Sequence, residues 1–404
     1  MLMQLISFVG KKINLFFWLL LVLLMPVFNA VNSIIVALST LFLFFKYKEL
    51  NYYHLPKIII ISIISFIMAL LTSSFAINDL NSINYAFKFL YWMLPFFLVF
   101  YNMQLCKKDK LPLYSLTIAL LISGTAVVYQ YIFLEKLRPG GLYFQPNQFA
   151  SMMDILFPFA TMFVLKNLYE CKNKIIGVIL FLPIIIGIYA LFLSGSRGGL
   201  IGIFIGFLLC VICFFLKKLK LTSFILGLST IIVLFAGSMI VAYNYMPDLF
   251  QRSYDNERLL LIESSYNMWN DHKLFGIGLD NWEEEYNDKY KLPQAREKLD
   301  MPHNILAFFF STTGLIGGMG YIIFVCGIFI FLINALRECR KRQTIFVVLA
   351  MLWALFAVNI HGMVDVGLNN KFVMRLFSGT LGLTAAYLCL REQKGDYKND
   401  RSGC

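Results

Sequence analysis

Three groups of residues have the types and spacing to act on an anionic substrate and a hydroxyl. Ser194-Gly-Ser-Arg-Gly-Gly199 is a small-residue turn holding one arginine. Its glycines let backbone amides approach an anion, and Arg197 adds charge and a fork of donors. The same pattern also fits a tight turn whose arginine snorkels to lipid head groups. Pro302-His-Asn304 heads the apolar segment 305–313. His303 can act as a general base near neutral pH and deprotonate a hydroxyl nucleophile. The plainer alternative is helix capping beside Asn304. Arg258 is the third, with Arg138 of Arg138-Pro-Gly-Gly141 and the polar turn Gln145-Pro-Asn-Gln148 as companions. An isolated arginine beside an apolar run ordinarily marks a solvated face or a lipid anchor. Two guanidiniums and an imidazole gathered on one side of a membrane suit a lipid-linked diphosphate and an acceptor hydroxyl.

The elements that must hold these residues are membrane helices. Of 404 residues, 59% are hydrophobic and 14% charged, more apolar than a water-soluble domain can hide. The net charge of +12 does not point to nucleic acid, because the basic residues fall in short clusters between apolar runs of spanning length. Such runs lie near residues 13–29, 31–45, 58–77, 84–102, 112–134, 148–165, 175–194, 199–216, 222–244, 315–335, 344–360 and 372–390. An all-α polytopic membrane protein of about twelve helices follows. Residues 1–244 hold helices 1–9, 245–303 a periplasmic loop, 304–391 helices 10–12 and 392–404 a cytoplasmic tail. The first apolar run is followed by more membrane segment and lacks a small-residue cleavage site, so it is expected to stay in the mature protein.

Every alternate connection is basic, with the Lys11, Lys46, Lys107, Lys172, Lys217 and Arg340 clusters and the tail sharing one side of the membrane. The positive-inside rule makes that side cytoplasmic, both termini included. No cysteine falls in an outer loop, as an oxidising exterior favours. Cys210 and Cys213 lie within an apolar span and read as packing. Asp154, inside the sixth span, and Asp365, after His361 in the last outer loop, are explained as well by hydrogen bonding between helices as by function. They stay outside the catalytic set.

The connection 245–302 is too long for a simple turn and carries twelve acidic and seven basic residues, so it faces water. Within it Leu259, Ile262, Tyr266 and Trp269 recur at helical spacing. That spacing predicts an amphipathic helix starting at Arg258, lying on the membrane or capping the bundle.

In their order, these motifs resemble the superfamily of O-antigen ligases and O-antigen polymerases, bacterial envelope transferases that use lipid-linked glycans. The residues carrying the resemblance are the Arg197 turn, Arg258 in the long loop, Lys273-Leu-Phe-Gly-Ile-Gly-Leu-Asp-Asn281, Pro302-His-Asn304 and Gly314-Leu-Ile-Gly317. They span roughly residues 140–335. The resemblance implies a helical bundle whose periplasmic loop caps a cavity open to bilayer and periplasm. It implies a glycan donor linked through diphosphate to undecaprenol, with Arg197 and Arg258 on the diphosphate and His303 activating the acceptor hydroxyl. Arg138 and Asn304 are further candidates for substrate binding. It implies inversion at the anomeric centre, with no metal and no cofactor.

The sequence has no outer Asp-x-Asp motif and no glycine-rich nucleotide loop, which argues against a nucleotide-sugar donor. The leading expectation is a ligase of the bacterial inner membrane, with a periplasmic active site, that transfers a finished glycan to the lipid A core of lipopolysaccharide. A polymerase extending the glycan on its carrier is the nearest alternative, and a relative that glycosylates proteins is another. A transporter of lipid-linked sugars often shows repeated halves and broken helices, and the sequence shows neither a repeat nor ion-coupling acids in corresponding positions. A flippase needs charge along a central pathway and a transferase needs it at the outer surface, where the motifs lie.

Overall fold

A computed structural model describes residues 56–76, 79–105, 111–170, 174–217, 253–296, 298–339 and 342–399, with single positions 34, 36, 222, 223, 226, 229 and 230. The predicted runs 13–29, 31–45 and 222–244 lie wholly or almost wholly outside these residues, so the expected total of twelve is not decided by them. The described elements are helices, with no strand among the described residues.

In chain order the long helices are α1 (Lys57–Leu71), α2 (Asp79–Leu105), α3 (Leu111–Phe133), α4 (Pro146–Glu170), α5 (Lys174–Ser194), α6 (Arg197–Leu216), α7 (Ser253–Asp271), α8 (Ile305–Glu338), α9 (Arg342–Gly362) and α10 (Lys371–Asn399). Eight helices among the described residues are long and apolar enough to cross a membrane. Each overlaps a predicted run, and the chain is a multi-pass membrane protein. In lipid, every backbone N–H and C=O must be paired within the protein, and a helix does this within one segment.

Helices α4, α9 and α10 form the interior, and their membrane windows are the most buried. Helix α6 packs closely on α9 along Gly198, Gly202 and Gly206. A Cβ at Gly202 would meet the Ala357 carbonyl at 2.8 Å, and one at Gly206 the Ala357 amide at 2.9 Å. A stripe of small residues at four-residue spacing lets two helix backbones approach where no hydrophobic drive separates helix from lipid.

The long connection is built as a cap. Helix α7 begins at Ser253, so Arg258 lies in its second turn and not at its start, as the sequence reading had it. Of the expected apolar stripe, Leu259, Ile262 and Tyr266 are exposed, while Trp269 is half-buried with its ring 6.0 Å from that of Phe310 on α8; Leu261 and Met268 on the opposite side are buried. These two pack with Ile277, Trp282, Tyr286 and Tyr290 in a small core separate from the bundle. Trp282 stacks on Tyr286 at 4.8 Å and donates its Nε1–H to Ser265 Oγ at 3.1 Å.

The motif around Gly276 locks this cap to the bundle. Helix α8 breaks at Gly314 (φ 66°, ψ −162°), and the segment 273–278 lies in the break. Ile277 N–H donates to Ser311 C=O at 2.9 Å and Gly278 N–H to Thr312 C=O at 2.8 Å. In return, Leu315 N–H donates to Lys273 C=O at 2.7 Å. The groups freed by the break are thus paired with the loop. Any Cβ at Gly314 would collide with the Leu274 backbone, so only glycine serves there.

Candidate active site

The turn between α5 and α6 places Arg197. Gly195 (φ 67°) ends α5 in the left-handed conformation, and its amide donates to Phe192 C=O at 3.1 Å. Ser196 then caps α6, its Oγ accepting from the Gly199 amide. Arg197 is therefore the first residue of α6, exposed at the positive end of a helix dipole. Arg138 comes to the same turn: a Cβ on Gly195 would stand 3.3 Å from Arg138 Nε.

His303 lies between α7 and α8 with φ 48°, a region that non-glycine residues rarely occupy. It does not cap α8. Asn304 does, its Oδ1 accepting from the Ala307 amide at 2.9 Å while its Nδ2 donates to Met363 C=O at 3.0 Å. Both ends of the Asn304 side chain are thus engaged within the protein. His303 Nδ1 is left facing Asp365 Oδ1 at 3.3 Å, and the two side chains are 24% and 13% exposed. With Nδ1–H donating to the carboxylate, the Nε2 lone pair faces away from Asp365.

Asp365 is held in turn by the Val366 amide, which donates to Oδ1 at 2.8 Å. Burial alone raises its pKa. The hydrogen bond from His303, the charges of His361 and His303 and the Val366 amide outweigh that and hold the carboxyl below its ordinary value.

A second histidine–aspartate pair lies beside the first. His361 Nδ1–H donates to Asp154 Oδ2 at 2.7 Å, both side chains almost fully buried. The His361 ring lies against Gly198, where a Cβ would stand 2.7 Å from Cδ2 and 3.2 Å from Nε2. Its carbonyl accepts the amides of Val364 and Asp365 at 2.9 and 3.0 Å. One residue thus braces the start of α6, which bears Arg197, and the turn that bears Asp365. Arg258, half-buried on α7, comes within Coulombic range of His361.

Arg197, Arg258 and His303, read from the sequence as one site, therefore occupy one end of the bundle, and Arg138 joins them at the Gly195 turn. The sequence reading noted Asp154 and Asp365 but left them outside the site, and gave His361 no role, because their partners are 62 and 207 residues away. A carboxylate after a histidine in an outer loop was the available signal. Among the described residues, no group of three His, Cys, Asp or Glu side chains forms a metal site.

Residues 182–322 match the family described as O-Antigen ligase, a stretch of less than half of the chain. The matched stretch holds Arg197, Arg258, His303 and the Gly314 break, while Asp154, His361 and Asp365 lie outside it. The chain is 26% identical over 216 residues to the teichuronic acid biosynthesis protein TuaE of Bacillus subtilis, covering 51% of this chain and 42% of that relative. It thus spans less than half the length of that relative. It is 25% identical over 342 residues to an uncharacterized protein of Haemophilus influenzae, covering 78% of this chain and 82% of the other. The O-antigen ligase domain and the likeness to TuaE support a family of lipid-linked glycan ligases and polymerases.

Proposed function

We propose that the protein is a glycosyltransferase that moves a glycan from undecaprenyl diphosphate to an acceptor hydroxyl at the periplasmic face of the bacterial inner membrane. The observation that carries this reading is the His303–Asp365 pair at the same end of the bundle as Arg197 and Arg258. Asp365 orients His303 and favours the imidazolium that forms when Nε2 takes the acceptor proton. As that proton leaves, the acceptor oxygen bonds to the anomeric carbon. The bond from that carbon to the diphosphate oxygen breaks, and the electron pair departs with undecaprenyl diphosphate. Arg197 and Arg258 hold the diphosphate and stabilise the charge left on it. Attack opposite the leaving group inverts the anomeric centre. The residues named for these steps are side chains of the protein alone, and the reading assigns no metal or cofactor.

The acceptor in this reading is the lipid A core, which makes the enzyme a ligase of lipopolysaccharide biosynthesis. The modest size of the outer loop 245–302 favours a ligase over a polymerase that extends the lipid-linked glycan. Both termini are assigned to the cytoplasm by the basic clusters. Deleting the gene and separating envelope glycolipids on a gel tests the assignment. Loss of all long glycan with accumulation of full-length lipid-linked polymer is expected of a ligase. Attachment of single repeats to the acceptor would make it a polymerase, and unchanged glycolipids would remove the transferase reading.

A further inference from the structure

Arg375 stands apart from the cluster above. It lies one turn into α10, about 6 Å along the axis from Lys371 at 1.5 Å per residue, at the end of the bundle where His303 lies. Its side chain is buried, with 2% of the residue exposed. The guanidinium carbon is 4.9 Å from the centre of the Tyr91 ring of α2, so one face of the cation is covered. Its Nε and Nη1 are buried and have no hydrogen-bond partner among the described residues. Lys371, half-buried four residues earlier on the same helix, adds a like charge within Coulombic range of Arg375. Among the described residues no carboxylate makes an ion pair with either cation.

A buried guanidinium with idle donors is costly, and proteins tolerate it where an anion completes the site. A planar cation held by an aromatic face directs its donors edgewise, the arrangement that binds oxyanions. Two cations without an acid suit phosphate better than a single carboxylate.

We propose that Arg375, Tyr91 and Lys371 form a second anion site, between α2 and α10, that takes the phosphate group of a phosphate ester. The phosphate comes either from the head group of an anionic phospholipid or from a phosphorylated saccharide substrate. The site is independent of the roles given to His303, Arg197 and Arg258, and it stands or falls separately from them.

The test uses the full chain in phosphatidylcholine nanodiscs. Thermal unfolding is followed as phosphatidylglycerol is mixed in and, separately, as glucose 1-phosphate is added. The expected result is a rise in Tm with one of the two probes, abolished in Arg375→Gln and diminished in Lys371→Gln. A rise with phosphatidylglycerol alone assigns the site to a lipid head group; a rise with the sugar phosphate alone assigns it to a substrate. Should Arg375→Gln fail to fold, Lys371→Gln and Tyr91→Leu carry the same comparison. No rise in the native protein with either probe, or equal rises in the native protein and the folded variants, overturns the proposal.

Discussion

His361 Nδ1 lies 2.7 Å from Asp154 Oδ2, a contact that ties α9 to α4 across 207 positions of sequence. The pair is buried, yet it is tied to both halves of the candidate site: the imidazole ring abuts Gly198 next to Arg197, and the His361 carbonyl holds the turn of Asp365. Removing one partner of a buried hydrogen-bonded pair leaves the other unsatisfied. Asp154→Ala is expected to cost about 1–3 kcal/mol. Asp154→Asn, which keeps the shape and a hydrogen-bonding group, should cost less. Unfolding in mixed micelles measures both, and equal stability of Asp154→Ala and the native protein would show that the contact carries no strain on folding.

Asp365 predicts an acid-limb effect whose sign follows from its lowered pKa. A carboxyl with a folded pKa below its unfolded value, about 3.9, contributes stability that is fully present above that unfolded value. The contribution is lost as pH falls through the folded value. The Tm gap between the native protein and Asp365→Asn should therefore hold from pH 7 to about 5 and close at lower pH. The same variant should lower turnover by at least about tenfold while leaving donor affinity in place, short of the full loss of a general base. A gap that widens on acidification would reverse the assigned sign.

Replacing His303 by Ala or Gln should reduce transfer by about a hundredfold to ten-thousandfold, the usual contribution of a general base. Donor should still bind, since the arginines remain. His303→Asn is the informative variant. Asn tolerates a positive φ and Asn304 already caps α8, so this change leaves the fold intact while removing the base. Full activity of His303→Asn in an assay with purified donor and acceptor would end the catalytic assignment.

Arg197→Lys and Arg258→Lys keep the charge but not the fork of donors that grips a diphosphate. Both should lose most transfer activity while the protein stays at native levels in the membrane. The loss should appear largely in donor binding. Either variant working at the native rate excludes that arginine from the site.

The assigned orientation puts Lys217 and Arg340 in the cytoplasm and Arg197, Arg258 and His303 outside. A cysteine introduced at position 280, exposed beside α2, should react with a membrane-impermeant thiol reagent in intact cells with a permeable outer membrane. One at position 217 should be shielded. The opposite pattern inverts the topology.

The sequence alone determined the membrane helices, because hydropathy and the positive-inside bias are local quantities that a span must satisfy whatever it packs against. Arg197, Arg258 and His303 could be singled out for the same reason: each stands in a short motif with its own turn or flank. The tertiary structure decided what those residues touch. Helix α7 turned the expected stripe of Leu259 and Tyr266 outward and buried Leu261 and Met268, since the loop forms its own core instead of lying stripe-down on the bundle. Nothing local distinguishes Asp154, Asp365 or Arg375 from a polar residue serving only to join helices. Their partners, or for Arg375 the want of one, arise when helices far apart in sequence come side by side. Gly314 stood in the sequence only as part of a motif; the break there, and the loop segment that fills it, are fixed by backbone groups that must be paired where water is excluded.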